Sequence, residues 1–269
     1  MKFAITGKTK LISLLGSPVS HSRSPSMQNG VFEALGLDYV YVAFDVGLDN
    51  VEAAIDGLRA MNFRGSNVTM PLKKVVCQYL DKLTPAAEMA GAVNVIINDD
   101  GVLTGHITDG EGYMMSLVDA GVEYIGKKMI IVGSGGASTA VAIQAAMDGV
   151  RSISIFNHKD AFYSNGERTV EGLRQQIGCE AHMFDLADMN LLRKEMMRSD
   201  IFINATPIGM EETLHESVIP DASYFHKNLI VTDLIYVPVE TKLLKIAKAA
   251  GNKTVNGLGM QLFQGVSAF

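Results

Sequence analysis

Between Met129 and Met147 the chain reads MIIVGSGGASTAVAIQAAM, without one charged side chain. A run of that length is enough for a helix across a bilayer. Its internal punctuation argues otherwise. IIVG is a short apolar segment bounded by a glycine cluster, and an alanine-rich run follows, so the stretch reads as strand, tight turn and buried helix. That reading makes a nucleus around which the rest of an α/β chain can be built.

The remainder alternates in the same way. LISLLG is strand-like, and SPSMQNGVFEALG starts with Ser24 as an N-cap and Pro25 at the first helical position, then stops at Gly36. YVYVAFDV is rich in β-branched and aromatic residues. In DNVEAAIDGLRAM the apolar positions Val51, Ile55, Leu58 and Met61 recur at helical spacing. GSNVT and VNVIIND read as further short strands. From Lys127 a second series runs through MIIVG, SISIFN, a polar helix around Thr169 to Ile177, CEAHMF, a helix near Leu191, DIFINAT and LIVTDLIY. Such alternation predicts parallel sheets covered by helices, in two α/β domains. The expected boundaries are 1–109 for the first domain, completed by 239–269, and 110–238 for the second, with a ligand in the cleft between them.

Composition removes several function classes. The formal charge of −6 comes from 29 acidic against 23 basic residues. The basic ones are scattered and form no stripe suited to a phosphate backbone, so no nucleic acid is expected as partner. Cys77 and Cys179 lack the spacing of a zinc site or redox motif and read as free thiols in a reducing cytoplasm. The six histidines add no metal cluster. Lys2 with LISLLG imitates a signal peptide, but Lys8 and Lys10 interrupt it and no clean cleavage site follows. No membrane role is expected, and oligomeric state is left open.

The turn GSGGAS, Gly133 to Ser138, ends a predicted strand and opens a predicted helix. Gly133 permits the tight turn, while Gly135 and Gly136 let the backbone approach a pyrophosphate at the helix N-terminus. Ser138 stands where a third glycine is usual, and is still small enough for helix packing. Cofactor choice is read about 20 residues on, in FNHKDAFY. There His158 and Lys159 suit a 2′-phosphate, whereas Asp160 repels it and can accept from ribose hydroxyls.

GSPVSHSRSP, GSNVTMPLKK, GAVNVI, ITDGEGY, GSGGAS, NATPIGM, DLIYVP and GLGMQLFQG, in that order along nearly the whole chain, resemble the shikimate dehydrogenase family, most of all its quinate/shikimate branch. The resemblance implies a substrate domain joined to a Rossmann-type dinucleotide-binding domain. It implies reversible oxidation of the carbon-3 hydroxyl of shikimate, with quinate as a possible second substrate. Carried onto this sequence, it makes Lys73 and Asp109 the catalytic pair. Ser22 and Ser24 match the serines that hold the substrate carboxylate, and Asn67, Thr69, Asn94, Gln264 and Tyr236 match substrate contacts. Tyr41 matches a tyrosine near the substrate in the broader-specificity branch; strand packing is its other explanation. Gly133, Ser134, Gly135, Gly136, Ala137, Asn157, His158, Lys159, Asp160, Thr206 and Gly257 fall on the cofactor-binding motifs. The segment after Asn157 departs from the arginine and threonine of NADP-dependent members, which favours NAD, with NADP or dual use as the alternative. Family members usually continue beyond the position of Phe269 with a short helical tail.

Hydride transfer from an alcohol leaves a proton, and a lysine–aspartate pair can hold the oxygen and accept it without a metal. A free lysine titrates near ~10.4; burial lowers that value and a neighbouring aspartate raises it. Two other readings remain open at this point: a catalytically silent dinucleotide-binding module, and a dehydrogenase for a modified quinate-like substrate.

Overall fold

The computed structural model describes residues 4–269; Met1 to Phe3, including the Lys2 of the signal-like run, lie outside the described residues. Cα proximity divides the chain into a unit of residues 1–108 with 268–269 and a unit of residues 109–267.

In the first unit the elements are β1 (Lys10–Gly16), α1 (Ser24–Leu35), β2 (Tyr39–Asp45), α2 (Val51–Ala60), β3 (Gly65–Val68), β4 (Lys82–Leu83), α3 (Pro85–Ala90), β5 (Val95–Asp99) and β6 (Val102–His106). Their strands form one sheet in the order β2-β1-β3-β5-β6-β4. Helix α2 shows why these segments form: Val51, Ile55 and Leu58 repeat along one face and are nearly inaccessible to solvent. Each contributes about 1.5–3 kcal/mol by leaving water. They pack with Leu15, Val68, Leu72 and Ile96 in one core. Met61, expected on the same stripe, lies past the helix end and is exposed.

This sheet corrects the expectation of parallel pairing. β1 runs parallel to β2 and β3, but β5 is antiparallel to both β3 and β6. The cause is local. Asp99 pairs with Val102, leaving Asp100 and Gly101 as a two-residue hairpin loop with φ of 52° and 91°. Asp-Gly is the pair that tolerates two successive left-handed residues, and a two-residue loop can only reverse the chain.

The second unit carries α4 (Asp109–Asp119), β7 (Lys128–Val132), α5 (Gly136–Met147), β8 (Ser152–Asn157), α6 (Tyr163–Gly172), β9 (Glu180–Asp185), α7 (Met189–Met196), β10 (Ile201–Asn204), β11 (Ile230–Asp233), α8 (Lys242–Ala249), β12 (Thr254–Val255) and α9 (Leu258–Ala268). The sheet order is β12-β11-β10-β7-β8-β9, parallel throughout. Strands buried on both faces need uninterrupted apolar runs, and β7, β8 and β10 are buried almost end to end. The uncharged stretch Met129–Met147 is thus a strand, a turn and a helix with most of its residues buried. Among the described residues no helix is long and apolar enough to cross a membrane.

Of segment 239–269, residues 239–267 group with the second unit and 268–269 with the first. β12 pairs with β11, and α8 buries Leu243, Leu244 and Ala247 in the core beneath this second sheet. Their apolar stripe matches the face of β11 and β10, so these elements stay with the unit that precedes them in sequence.

Candidate active site

In the first unit Tyr41 of β2, Asn67 of β3 and Asn94, just before β5, are linked across the sheet. Parallel register sets Leu14 beside Asn67, and antiparallel register sets Asn67 beside Val95, one residue after Asn94. Tyr41, central in β2, is buried and donates its hydroxyl to Asn67 Oδ1 at 2.8 Å. Burial pushes the Tyr41 hydroxyl well above the ordinary phenol range, and a hydrogen bond with Ser24 partly opposes that. Asn67 Nδ2 points to the carbonyl of Asn94 at 3.4 Å. Ser24, Tyr41, Asn67 and Asn94 therefore form one connected polar group rather than scattered strand residues.

Ser24 departs from the expected N-cap role. The cap position is Arg23, without a side-chain bond, and Ser24 is the first helical residue. The Ser22 hydroxyl accepts the Ser24 N–H at 3.3 Å. The Ser24 hydroxyl instead meets Tyr41.

Asn94 is buried and grips Thr108 from both sides. It accepts the Thr108 N–H at 2.9 Å and donates to Thr108 Oγ1 at 3.0 Å. Thr69 is seated by its N–H bond to the Leu15 carbonyl, and Lys73 by its carbonyl, which accepts from Val93 N at 2.7 Å. Lys73 is half-buried, whereas Lys74 is exposed. One residue of this region lay outside the sequence expectations. Asn29, inside α1, accepts the Tyr41 N–H and donates to the Tyr41 and Pro25 carbonyls, all within 2.9 Å. The available signal was an asparagine in a helix interior, where it is a poor helix former and earns its place through such bonds.

In the second unit Asp109 opens α4, where a carboxylate suits the positive end of the helix. Helix α9 carries Gln264, whose backbone lies against Gly112 of α4. The glycine turn joins β7 to α5. Gly133 has a φ of +105°, and a side chain there would meet the Ala205 carbonyl oxygen at 2.7 Å. Beyond Gly135 and Gly136 the space is open, and Gly136 and Ala137 are exposed at the start of a helix 12 residues long. Ser138, at the third glycine position, is fully buried and returns its hydroxyl to the Gly133 carbonyl at 2.7 Å. Ser134 donates to the Phe162 carbonyl at 2.8 Å, tying the turn to the start of α6.

The segment after β8 is held from inside. Asn157 Nδ2 donates to the His158 carbonyl at 2.8 Å and to Asp160 Oδ1 at 2.9 Å, and the Phe162 N–H reaches the same oxygen at 2.8 Å. Asp160 thus shapes the loop while remaining exposed beside His158 and Lys159. Lys159 stands 3.8 Å from Asp185 Oδ2. Thr206 is fixed by two bonds to Asn204 Oδ1, at 2.7 and 3.1 Å. Tyr236 is exposed, while Gly257 is buried against the backbone of Leu234 and Ile235, where only a glycine fits.

A second residue outside the expected site residues is Asp233, the first of DLIYVP, at the end of β11 and almost inaccessible. Its carboxylate accepts from the Ile235 N–H at 3.0 Å, Asn204 Nδ2 at 3.1 Å and Thr241 Oγ1 at 2.7 Å. Burial raises its pKa to about 6 despite those three donors. Among the described residues no group of histidine, cysteine, aspartate or glutamate could hold a metal ion.

Comparison with known proteins gives a consistent result. A family model of the shikimate dehydrogenase substrate binding domain matches residues 14–96. The shikimate dehydrogenase (NADP(+)) of Listeria monocytogenes is 55% identical over 265 residues, covering 98% of this chain and 91% of that protein. The quinate/shikimate dehydrogenase of Escherichia coli is 42% identical over 265 residues, covering 98% of this chain and 92% of its own length. A 1.45 Å crystal structure of shikimate 5-dehydrogenase from Listeria monocytogenes, in complex with shikimate and NAD, matches with a TM-score of 0.97 at 54% identity, over 100% of this chain and 93% of that one.

Proposed function

Because the chain belongs to the shikimate dehydrogenase family, we propose that it interconverts shikimate and 3-dehydroshikimate, using a nicotinamide dinucleotide, in the cytoplasm. The observation that carries this reading is the 55% identity to a shikimate dehydrogenase across nearly the full length of both chains. The first unit serves as substrate domain and the second as dinucleotide domain.

The dinucleotide, when bound, supplies the hydride acceptor in one direction and the donor in the other. Gly133 to Ala137 suit its pyrophosphate: the space beyond Gly135 and Gly136 is open and α5 offers exposed N–H groups. Ser22 and Ser24, at the start of α1, hold the substrate carboxylate. Tyr41, Asn67, Thr69, Asn94, Tyr236 and Gln264 receive the ring hydroxyls. Lys73 and Asp109 hold the reacting oxygen, and Lys73 takes up its proton as the alcohol is oxidised, then returns it in reduction. Holding charge where it develops, in a site built before substrate arrives, is where such a pair lowers the barrier.

For the cofactor, the exposed Asp160 carboxylate favours the free ribose of NAD, while His158 and Lys159 allow NADP as a second cofactor. Quinate is a second substrate, favoured by the placement of Tyr41 within the Ser24–Asn67 group. The test is the absorbance of reduced cofactor when shikimate or quinate is added with NAD or NADP, with Lys73→Ala as control. No change with shikimate under either cofactor would sink the function, and a strong NADP preference would overturn the cofactor assignment.

A further inference from the structure

Helix α4 is packed on two sides by helices that begin or carry parts of the candidate site. On one face Gly110 lies against α5, where a side chain would meet Gln144 Cβ at 2.7 Å as well as the Ala140 backbone. On the other, Gly112 lies against α9, where a side chain would meet both Cα and Cβ of Gln264 at 2.8 Å, against 3.4 Å for an ordinary contact. One turn further along the same pair, Gly259 of α9 faces Ser116 of α4, whose Cβ stands 2.7 Å from where a Gly259 side chain would begin. Gly112 and Ser116 are four residues apart and so share a face. The two helices touch through missing side chains at both levels.

We propose that Gly112 and Gly259 are positioning residues that set the place of Gln264 relative to Asp109, and so tune recognition of the substrate ring. The proposal rests on the reading of Gln264 as a substrate contact. Asp109 opens α4 and Gln264 sits on the helix pressed against it, so the spacing between them passes through no flexible side chain. A single methyl group at either glycine must push α9 outward, because Gly112 faces backbone that cannot rotate away. Misplacement of a contact by about 1 Å is enough to cost up to about a hundredfold in rate. The turn at Gly133–Gly136 contributes backbone donors at the far end of α5 and stays as it is.

Steady-state kinetics with shikimate and NAD or NADP, alongside thermal melts, test this in four variants. Gln264→Ala is expected to raise the shikimate KM about tenfold by loss of a hydrogen-bonding contact. Gly112→Ala and Gly259→Ala are expected to raise the same KM by a similar factor, with the cofactor KM within about twofold, since only the substrate contact moves. Adding Ser116→Gly to Gly259→Ala restores room at the contact, so the shikimate KM returns toward the starting value. The double variant nevertheless melts lower than the starting protein, because a helix-interior glycine and the lost Ser116–Tyr113 bond both weaken α4. That divergence of affinity from stability is what a merely structural role does not produce. Gln264→Ala with an unchanged KM defeats the reading of Gln264 and the proposal with it. Gln264→Ala with a raised KM, beside folded glycine variants that lose only melting temperature, overturns the proposal alone. If Gly112→Ala does not fold, the Gly259 pair decides, because its clash is with a side chain that Ser116→Gly removes.

Discussion

On the reading proposed above, the two units recognise small molecules with different parts of the chain. In the second, strands parallel throughout and buried on both faces deliver a turn whose backbone N–H groups and lack of side chains are the useful features. In the first, a mixed sheet with a partly exposed edge strand carries hydroxyl and amide side chains on β2 and β3 and beside the start of β5. A backbone site is inseparable from the local fold, whereas a side-chain site can be cut away while the fold stands. Variants should therefore split into two kinds, those that lose chemistry alone and those that lose binding together with stability.

The largest expected effect falls on the side-chain site. Lys73→Ala should lower kcat about 10²–10⁴-fold, the range for removing a proton-transfer group. Substrate KM should change far less, and the melting temperature little, because the carbonyl that seats Lys73 is backbone and survives the change. Gly133→Ala tests the other side. Its φ of +105° and the nearby Ala205 carbonyl oxygen make any side chain strained, so stability should fall by about 2–4 kcal/mol, with cofactor KM rising in step. Urea denaturation and steady-state kinetics on both variants give the answer. Equal stability losses in the two would break the contrast.

A smaller effect comes from Asp233, at the end of β11, which belongs to neither kind. Its folded pKa of about 6 lies above the ordinary value near ~3.9, so the native state binds the proton more tightly than the unfolded chain. Its contribution to stability is complete below about pH 4 and is lost as pH rises through about 6. Relative to Asp233→Asn, the unmodified protein should lose on the order of 3 kcal/mol between those limits, about two pKa units at about 1.4 kcal/mol each. Urea titrations of both proteins across that range measure the slope. Parallel slopes would mean that the three donors around the carboxylate just offset its burial.

How far this division could be read from the sequence follows from what each site is made of. The turn was legible because glycines after an apolar run have few other reasons to cluster, and the alternation of segments carried the α/β class. The antiparallel β5 was legible in Asp100-Gly101 yet missed, because alternation with helices is a broad signal and a two-residue loop a narrow one. Asn29 left only a weak signal, an asparagine in a helix interior, and Asp233 only its place at the head of DLIYVP, since their roles depend on partners such as Tyr41 and Thr241. Tyr41 lies between these cases. The residue was in view, but strand packing explained it as well until its hydroxyl was seen to join Ser24 and Asn67.

That makes Tyr41→Phe the finest probe of the contrast. The phenyl ring would keep its packing near Leu14 and Phe32, while the bond to Asn67 Oδ1 would be lost. One neutral hydrogen bond is worth about 1 kcal/mol net, which corresponds to roughly a fivefold rise in substrate KM. If the hydroxyl serves substrate choice, the ratio of quinate to shikimate kcat/KM should shift as well. If it serves only the strand, both substrates should move together or not at all. The cofactor KM should hold within about twofold either way, because no donor of the glycine turn is touched; competition assays with both substrates on this variant measure all three quantities. A cofactor KM that rose as much as the substrate KM would show that the two modes of recognition are not independent, and the separation of side-chain from backbone sites would fail where it is drawn most finely.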